Sequence, residues 1–251
     1  MNLREALPKI SYVLQSSSNV VVLTGAGMST ESGIPDFRSN AGWWSDERLM
    51  NAMSVAYWDS HPDEFWVAFR KTFLSPEFVE ARPNLGHHAL AAFERTGGRH
   101  VTILTQNVDG LHQQAGSRVV LELHGNLRTA TCPACGQVYD MRALPADETP
   151  VCTAYTVRGD CGHPLRPDVV LFGQQVQHYA SAALSIQAAD ALFVLGSSMT
   201  VHPASQLPEF RVASKCPLVV INETETEIDA AADIVLRGKI GTLLPEVLAS
   251  L

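Results

Sequence analysis

Short, nearly unbroken runs of Val, Ile and Leu alternate with helix-like stretches along most of this 251-residue chain. Such runs are typical of strands buried on both faces of a parallel sheet. The predicted strands are residues 19–25, 100–107, 118–123, 168–173, 191–198, 217–222 and 233–236. The predicted helices are residues 3–16, 62–74, 85–96, 177–189, 203–213 and 241–250. The alternation predicts an α/β fold built on a Rossmann-like, doubly wound parallel sheet with right-handed crossovers.

The alternation stops in the middle of the chain, where four of the five cysteines cluster and no long helix is predicted. Cys132 and Cys135 form a Cys-x-x-Cys knuckle, and Cys152 and Cys161 supply a second pair of thiolates. Four thiolates would complete a tetrahedral site with no open position, so we predict a structural Zn²⁺ in a small inserted zinc-ribbon domain. The second pair has an irregularly long spacing. A site of three of these cysteines with His163, or no metal at all, is therefore the alternative.

The first predicted strand ends in a glycine turn that contains Gly25, Ala26 and Gly27. Such a turn lets the backbone approach a pyrophosphate, with a helix N-terminus supplying N–H donors. A tight strand–helix turn without a ligand explains the same residues equally well. Thr30 stands where the dinucleotide fingerprint has its third glycine, and no acidic residue closes a second strand about 20 residues on. These departures argue against a Rossmann oxidoreductase.

Polar side chains follow the next two predicted strands. Gln106, Asn107 and Asp109 come directly after one strand, and His124 ends the next. Ligands in open α/β sheets bind beyond the carboxyl ends of strands, so these groups are placed to meet sugar hydroxyls or a ring amide. Histidine can take a proton near neutral pH. The alternative is an Asx-type turn with a structural histidine, and His112 competes with His124 for a catalytic role.

The charge balance narrows the choice of partners. The chain carries 18 basic and 26 acidic residues, a net charge of −8. An acidic surface disfavours binding to nucleic acid and suits a basic partner such as a lysine-rich peptide. No signal peptide or long apolar run is present, so we expect no membrane partner and a cytoplasmic location.

Taken together, the motifs resemble the sirtuin family of NAD-dependent protein-lysine deacylases, in its compact bacterial form. The matching blocks span roughly residues 19–240 and are, in order, GAGMSTESGIPDFRS, TQNVDGLH, ELHGN, CPAC with the later cysteines, RPDVVLFG, GSSMTVHPAS and VVIN. The resemblance implies NAD as co-substrate, a structural zinc, and acyl-lysine proteins or peptides as partners. The expected products are free lysine, nicotinamide and 2′-O-acyl-ADP-ribose, and the oligomeric state stays open.

The same resemblance implies roles for individual residues. His124 is expected to act as general base on a ribose hydroxyl, with Gln106 and Asn107 ordering the nicotinamide ribose. The peptide is expected to lie along Val170, Phe172 and Gly173, with Phe172 and Ile103 lining an apolar acyl tunnel. The implied cofactor-binding residues are Gly25, Ala26, Gly27, Thr30, Asp36, Phe37, Arg38, Gln106, Asn107, Asp109, Gly196, Ser197, Ser198, Asn222 and Ile240.

Two departures from the family pattern bear on the substrate. Members that cleave succinyl or malonyl groups carry a Tyr-x-x-Arg pair, and Phe69 and Thr72 align with those two places. An anionic acyl group would lack its phenol and guanidinium partners, so we predict a neutral acyl group, acetyl or longer and apolar. Gln174 stands where the family usually has glutamate, which removes a charge near the peptide.

These assignments divide the chain into parts. Residues 1–30, 85–125 and 168–251 are expected to form the large NAD-binding domain, residues 31–84 the cofactor loop and the helical part of the small domain, and residues 126–167 the zinc-binding module. Two alternative functions stay open. One is an NAD-dependent ADP-ribosyltransferase or NAD hydrolase on the same scaffold, and the other is a non-catalytic NAD-sensing binding protein.

Overall fold

The structure is a computed structural model and describes residues 2–36, 47–96 and 98–249. The helices are α1 (Leu3–Gln15), α2 (Glu47–Ala52), α3 (Val55–Ser60), α4 (Pro62–Phe73), α5 (Pro76–Val79), α6 (Leu85–Arg95), α7 (Leu111–Ala115), α8 (Tyr179–Gln187) and α9 (Ile240–Ala249). The strands are β1 (Asn19–Thr24), β2 (His100–Thr105), β3 (Val120–Glu122), β4 (Gly125–Thr131), β5 (Val138–Asp140), β6 (Tyr155–Thr156), β7 (Gly159–Asp160), β8 (Arg166–Val169), β9 (Ala191–Leu195), β10 (Leu218–Asn222) and β11 (Ile234–Arg237). Short 3-10 segments cover Ala26–Met28, Thr30–Ser32, Met141–Ala143, Ala204–Val212 and Asp229–Ala231.

The main sheet is parallel throughout, in the order β11-β10-β9-β1-β2-β3. The chain enters at β1, in the middle, and adds β2 and β3 on one side. It then crosses to β9 and adds β10 and β11 on the other side. This is the doubly wound order, so the predicted fold class is confirmed. The point where the order reverses lies between β1 and β9, and open sheets of this kind bind ligands there.

Helices cover both faces of this sheet. Ile10 of α1, Leu90 of α6 and Leu244 of α9 pack in a core on one face. Ile186 of α8 and Leu207 of the Ala204–Val212 segment pack in a core on the other face. The strand side chains are buried from both sides, which explains why their sequences are nearly continuous apolar runs. None of the described helices is long and apolar enough to cross a membrane.

Caps and prolines decide the ends and the type of the helices. Asn2 and Asn84 accept backbone N–H bonds in the first turns of α1 and α6, an interaction that stabilises a helix by about 1 kcal/mol. The helix predicted at residues 203–213 is instead the 3-10 segment Ala204–Val212. Pro208 lies inside it, and a proline has no N–H with which to continue α-helical bonding.

A smaller lobe joins helices α2 to α5 to the cysteine segment. Its antiparallel sheet has the order β5-β4-β8. Phe65, Trp66 and Phe69 of α4 share one buried core with Cys132 and Leu165. The indole N–H of Trp66 donates to the carbonyl of Leu165 at 2.9 Å. The cysteine segment therefore does not fold around its metal site alone, because the helices supply much of its core.

One predicted strand is wrong in its partner. Residues 168–173 do not join the parallel sheet: β8 pairs antiparallel with β4, and Val169 lies opposite Gly125. The extended segment beyond β8 then bonds to the start of α3, where the N–H of Phe172 donates to Met53 and its carbonyl accepts from Val55. An apolar run reports burial on both sides but does not identify the neighbour, so the sequence could not place it.

Candidate active site

A cleft of about 440 Å³ lies along the carboxyl ends of the parallel strands and is closed on the other side by the smaller lobe. The predicted site residues that line it are Gly25, Ala26, Gly27, Thr30, Asp36, Gln106, Asn107, His124, Val170, Phe172, Gly173, Gly196, Ser197, Ser198, Asn222 and Ile240. The predicted contacts Phe37 and Arg38 lie outside the described residues. Asp109 is described but is not part of the cleft lining.

The floor of the cleft is the contact between the loops that follow β1 and β9. The N–H of Gly25 donates to Leu195 at 3.1 Å, and that of Gly27 donates to Gly196 at 2.8 Å. A Cβ on Gly25 would lie 2.8 Å from the side chain of Ser197, and a Cβ on Gly196 would overlap the backbone of Met28. The glycines therefore let two loops touch, in addition to any room they leave for a ligand. An α-helix does not follow the turn; two 3-10 turns do.

Asn107 is held so that only one of its polar atoms remains for a ligand. Its side-chain N–H₂ donates to the carbonyl of Gly25 at 3.0 Å and to the hydroxyl of Ser29 at 3.1 Å. Its backbone N–H donates to the hydroxyl of Thr105 at 3.0 Å. Both amide protons are used, so Asn107 presents its carbonyl oxygen, which can accept from a sugar hydroxyl.

Asp109 lies behind Asn107. Its carboxylate accepts from the hydroxyl of Ser29 at 2.7 Å and from the backbone N–H of Leu111 at 2.9 Å. Burial raises the pKa of Asp109, and these two hydrogen bonds oppose that rise. In this structure Asp109 orients Ser29, which in turn accepts from Asn107. Ser29 is a buried member of this arrangement that sequence reasoning missed, although it stands inside the glycine-turn motif.

His124 has a defined tautomer. Its Nδ1 lies 2.9 Å from the carbonyl oxygen of Gln106, which can only accept, so Nδ1 carries the proton and Nε2 carries the basic lone pair. The following residue, Gly125, has φ +78°, and a Cβ there would overlap the carbonyl oxygen of Asp168. The His-Gly pair therefore marks where the chain leaves the main sheet and enters the smaller lobe against β8.

Gln106 and Ser197 tie the two halves of the floor together. The side-chain N–H₂ of Gln106 donates to the hydroxyl of Ser197 at 2.9 Å, and the N–H of Met199 donates to the same hydroxyl at 3.3 Å. Serine supplies the hydroxyl that threonine would supply in the family pattern. Ser197 thus has a structural bond in the described residues as well as a place in the cleft wall.

The segment from Val170 to Gly173 forms the edge of the cleft on the small-lobe side. The N–H of Val170 donates to the carbonyl of His124 at 2.8 Å, and the backbone of Phe172 is bonded to α3. The side-chain oxygen of Gln174 accepts from the N–H of Leu171 at 2.9 Å and closes the turn. Gly173 is the predicted substrate residue whose N–H donates to no described residue. Gln174 makes its bond through an amide oxygen, so no charge is needed there.

The apolar end of the cleft is lined by Met53, Phe73, Val108 and Leu171. Phe69 and Thr72, which the family alignment places at the acyl group, do not line it; both are buried in α4. Among the described lining residues there is no lysine or arginine. Met53 and Phe73 were missed in the sequence, because nothing local distinguishes a cleft-facing aromatic on α4 from its buried neighbours.

Two other residues, Arg70 and Ile103, lie away from the cleft lining. Arg70 turns away from the cleft and donates to the backbone carbonyls of Pro145 at 2.8 Å and Glu148 at 2.5 Å, which fastens α4 to the cysteine segment. Ile103, predicted as tunnel lining, is instead buried in the core under the main sheet. Strand side chains alternate between the two faces of the sheet, and Ile103 lies on the face covered by α1, α6 and α9 rather than at the strand end.

The four predicted metal ligands meet in one place. The sulfur atoms of Cys132, Cys135, Cys152 and Cys161 all lie within 4.8 Å of one another. A tetrahedron of Zn–S bonds of about 2.3 Å puts its sulfurs about 3.8 Å apart, so the cluster fits Zn²⁺. His163 contributes its backbone carbonyl, which accepts from the N–H of Cys152, and is not in the cluster.

A hairpin explains the irregular spacing of the second pair. Strands β6 and β7 pair within the interval between Cys152 and Cys161. The N–H of Cys161 donates to the carbonyl of Ala154, and the N–H of Gly162 donates to the carbonyl of Cys152. These two bonds bring the chain back from the hairpin to Cys152. The extra residues therefore extend outward as a hairpin while the two cysteines remain neighbours.

The chain is similar to known proteins over most of its length. The chain matches the family model described as the Sir2 family over residues 25–203. It is 48% identical over 234 residues to the NAD-dependent protein deacetylase of Bacillus subtilis strain 168, covering 91% of this chain and 94% of that one.

Solved structures give the same result. The chain is similar to a Sir2 variant bound to a deacetylated peptide and 3′-O-acetyl-ADP-ribose, with a TM-score of 0.86, 34% identity, and coverage of 99% of this chain and 98% of that one. A Sir2 structure with a propionylated peptide gives a TM-score of 0.83 at 34% identity and 97% coverage of both chains.

Proposed function

The chain belongs to the Sir2 family, and we propose that it is an NAD-dependent protein-lysine deacylase that yields free lysine, nicotinamide and 2′-O-acyl-ADP-ribose. The observation that carries this function is the tautomer of His124. With its Nδ1–H held by Gln106, the ring offers Nε2 as a base at the carboxyl end of β3. A positioned base of this kind is what acyl transfer to a ribose hydroxyl requires.

The protein's own groups hold and deprotonate the co-substrate. NAD, when bound, supplies an activated ribose from which nicotinamide can leave. We assign its pyrophosphate to the backbone of the turn from Gly25 to Gly27, where the loops after β1 and β9 meet. Asn107 accepts from a ribose hydroxyl through its carbonyl oxygen, its amide protons being used elsewhere. His124 takes a proton from such a hydroxyl through Nε2, which makes that oxygen a nucleophile toward the acyl carbon.

The adenosine side falls to the other half of the sheet. We assign it to Ser198, Asn222 and Ile240, which line the cleft beyond β9, β10 and β11. The side-chain N–H₂ of Asn222 donates to the carbonyl of Thr224 at 2.9 Å, which leaves its side-chain oxygen as the group that can accept from the adenosine. The assignments of Phe37 and Arg38 to NAD stay predictions.

The substrate peptide is assigned to the edge formed by residues 170–173. An extended peptide can add there by backbone hydrogen bonds, a mode known as β-augmentation. Because the N–H groups of Val170 and Phe172 are already used within the protein, Gly173 is the predicted residue that can donate to it. The acyl-lysine then enters the apolar end beside Met53 and Phe73, which favours a neutral acyl group because a carboxylate would be desolvated without a partner.

This scheme depends on a fixed cleft, and a zinc held by the four cysteines would contribute to fixing it. Four thiolates close the coordination shell, so the metal is structural and has no part in the chemical step. Acyl-lysine proteins or peptides are the proposed partners. The cytoplasmic location stays a prediction.

Mass spectrometry of an acetyl-lysine peptide incubated with protein and NAD tests the function. We expect the peptide to lose its acetyl mass, and nicotinamide to appear in equal amount. His124→Ala should lower the rate by about 10²–10⁴-fold, because the positioned base is lost. His100→Ala is the matched control, since His100 is exposed and outside the cleft lining.

Three results would reject the proposal. Retention of a near wild-type rate by His124→Ala would remove its chemical basis. A gain of ADP-ribose mass on protein or peptide, with the acetyl group retained, would favour the transferase alternative. Binding of NAD without turnover would favour the sensor.

A further inference from the structure

Two buried histidines behind the cleft have no part in the steps described above. His87 of α6 and His112 of α7 are 0% and 1% exposed, and their ring centroids lie 4.9 Å apart with the planes at 58°. One nitrogen of each ring, Nε2 of His87 and Nδ1 of His112, is buried without a hydrogen-bond partner in the described residues. A buried unpaired polar atom costs about 1–3 kcal/mol, so two of them side by side require an explanation.

The other nitrogen of each ring fixes where the protons are. The backbone N–H of Asn84 donates to Nδ1 of His87 at 3.3 Å, so His87 carries its proton on Nε2. The hydroxyl of Thr24 lies 3.0 Å from Nε2 of His112 and donates its own proton to the hydroxyl of Thr105 at 2.9 Å. Thr24 therefore accepts from His112, whose proton is on Nε2 and whose Nδ1 is bare.

The two unpaired atoms are thus complementary. The unpaired Nε2 of His87 is a donor, and the unpaired Nδ1 of His112 is an acceptor. Burial, together with the neighbouring His88, lowers the pKa of His87 to about 4. Burial, together with His87, lowers the pKa of His112 well below its usual value. Both rings are neutral at pH 7, so each retains one donor and one acceptor.

We propose that His87 and His112 complete a one-way hydrogen-bond chain through the interior and that His112 is a positioning residue for Asn107. The chain runs from the N–H of Asn84 through His87 and His112 to the hydroxyl of Thr24. The donor at each step is the protonated nitrogen or hydroxyl defined above. The step between the two rings closes through one water, because neither of the two unpaired nitrogens bonds directly to the other.

The far end of the chain reaches the cleft. The hydroxyl of Thr24 donates to that of Thr105, and Thr105 accepts the backbone N–H of Asn107. Thr24 and Thr105 are register partners in β1 and β2, so this pair joins the last residues of the two strands. The next residue after Thr24, Gly25, accepts the side-chain N–H₂ of Asn107. The chain therefore fixes both the backbone and the side chain of Asn107.

The near end of the chain holds the cofactor loop. The side-chain N–H₂ of Asn84 donates to the carbonyl of Met28 at 2.8 Å and to the hydroxyl of Ser32 at 3.0 Å. One continuous set of bonds thus links the loop after β1 to Asn107 from behind. The consequence for catalysis rests on the proposed role of Asn107 in NAD binding, whereas the tautomers and the inter-ring bond do not.

Nitrogen-15 NMR of the histidine rings tests the chain in the intact zinc-bound protein without reference to activity. We expect both His87 and His112 as neutral Nε2–H tautomers at pH 7, with their exchange with solvent strongly slowed. An Nδ1–H tautomer or a charged ring at either residue would overturn the proposal.

Substitutions test the positioning role. His112→Leu removes the donor to Thr24, whereas His112→Gln can retain an amide N–H at that end of the side chain. We expect His112→Leu to lower kcat/KM for NAD by about tenfold, mainly through a higher KM for NAD, which is the effect of one buried hydrogen bond. The KM for peptide should stay unchanged. His112→Gln should recover most of that loss. His88→Leu, an exposed neighbour of His87 on the same helix, is the control and should match wild type.

A double-mutant cycle separates positioning from loss of folding. Thr24→Val removes the next hydroxyl, so the double variant with His112→Leu should be no worse in kcat/KM for NAD than the poorer single variant. Additive losses, or a loss that merely follows the folded fraction measured by circular dichroism, would overturn the proposal. NAD affinity measured by calorimetry gives the same comparison if the wild-type protein fails to deacylate, so the two failures are distinguishable.

Discussion

The sheet side and the small-lobe side of the cleft are held in place by different kinds of interaction. On the sheet side, backbone bonds and glycine contacts fix the loops, as between Gly27 and Gly196. On the small-lobe side, an aromatic core on α4 and four cysteines fix the wall. Hydrogen bonds between backbone groups do not change when a side chain is replaced by another that fits. The packing of the aromatic core, in contrast, changes with each side chain.

The difference separates chemistry from selectivity. The groups that hold NAD and move a proton are assigned to the sheet side, where their positions follow from strand ends. Met53 and Phe73, which we assign to the acyl chain, belong to the small lobe, where a change of side chain should change the pocket without touching the proposed base. Perturbing one wall at a time tests this division.

Loss of the metal should cause the largest loss of activity. It should do so by disordering the small-lobe wall of the cleft, whereas the sheet side should stay folded. Cys132→Ser, or chelation of zinc, should unfold the core shared by α4 and the cysteine segment and abolish deacylation. Metal analysis, circular dichroism and activity measure it together. Cys216→Ser is the control, because Cys216 is a buried thiol outside the cluster. An active, folded, zinc-free protein would show that the small-lobe wall does not need its metal.

The junction between the two walls comes next. Gly125→Ala puts a Cβ into the carbonyl of Asp168 at a residue with φ +78°, so we expect a loss of about 3 kcal/mol or more in the free energy of unfolding. Gly159→Ala, with φ +99° and open space around it, isolates the backbone cost of about 1–2 kcal/mol. Urea unfolding gives both values. Equal losses in the two variants would mean that the contact with β8 can relax.

Acid should weaken the sheet side through its buried histidines. The pKa of His87 falls from 6.5 in the unfolded chain to about 4 in the folded protein, so the unfolded state binds more protons between these values. Stability from this group is unaffected above pH 6.5 and falls as the pH drops toward 4, by up to about 3 kcal/mol. Urea midpoints at pH 7.5 and 5 measure the loss. His87→Asn should show a smaller loss than wild type, and the control His100→Gln, at an exposed histidine away from this pair, should show the wild-type loss.

The smallest effect on the chemical step should be a change of acyl preference with the base intact. Phe73→Ala enlarges the apolar end of the cleft, so the rate ratio of butyryl-lysine to acetyl-lysine peptide should rise by about tenfold, the low end of the effect of one methylene in an apolar pocket. Val67→Ala on the exposed face of α4 is the control. Succinyl-lysine should stay a poor substrate in both variants. Faster turnover of succinyl-lysine than of acetyl-lysine by the wild-type protein would contradict the neutral preference.

Much of the sheet side could be predicted, because its signals are local. Buried strands appear as apolar runs, and polar residues directly after them, such as Asn107 and His124, must lie at one edge of a parallel sheet. Helix α6 begins at residue 85 as predicted, where the side chain of Asn84 caps its first turn. The knuckle at Cys132 and Cys135 likewise carries its geometry in its spacing.

The small-lobe side and the interior could not be predicted in the same way. The run at 168–173 looked like another sheet strand, and its true partner β4 is a separate segment of the chain. Phe69, Thr72 and Ile103 point away from the places assigned to them, whereas Met53 and Phe73 line the cleft. His112 looked like a rival base, but its neighbours Thr24 and His87 make it a neutral interior residue.

The sequence by itself therefore determined the strands, the order of the ligand-facing loops and the thiolate set, and it placed His124 at the end of a strand, since each depends on local patterns in the chain. Only the tertiary structure decided which face each aromatic of α4 presents, why Cys152 and Cys161 tolerate their spacing, and which tautomers His112 and His124 adopt. Those properties depend on atoms from distant segments, such as the carbonyl of Gln106 and the hydroxyl of Thr24. Hydrogen-bond direction and burial are set by such neighbours, and a linear pattern carries no record of them.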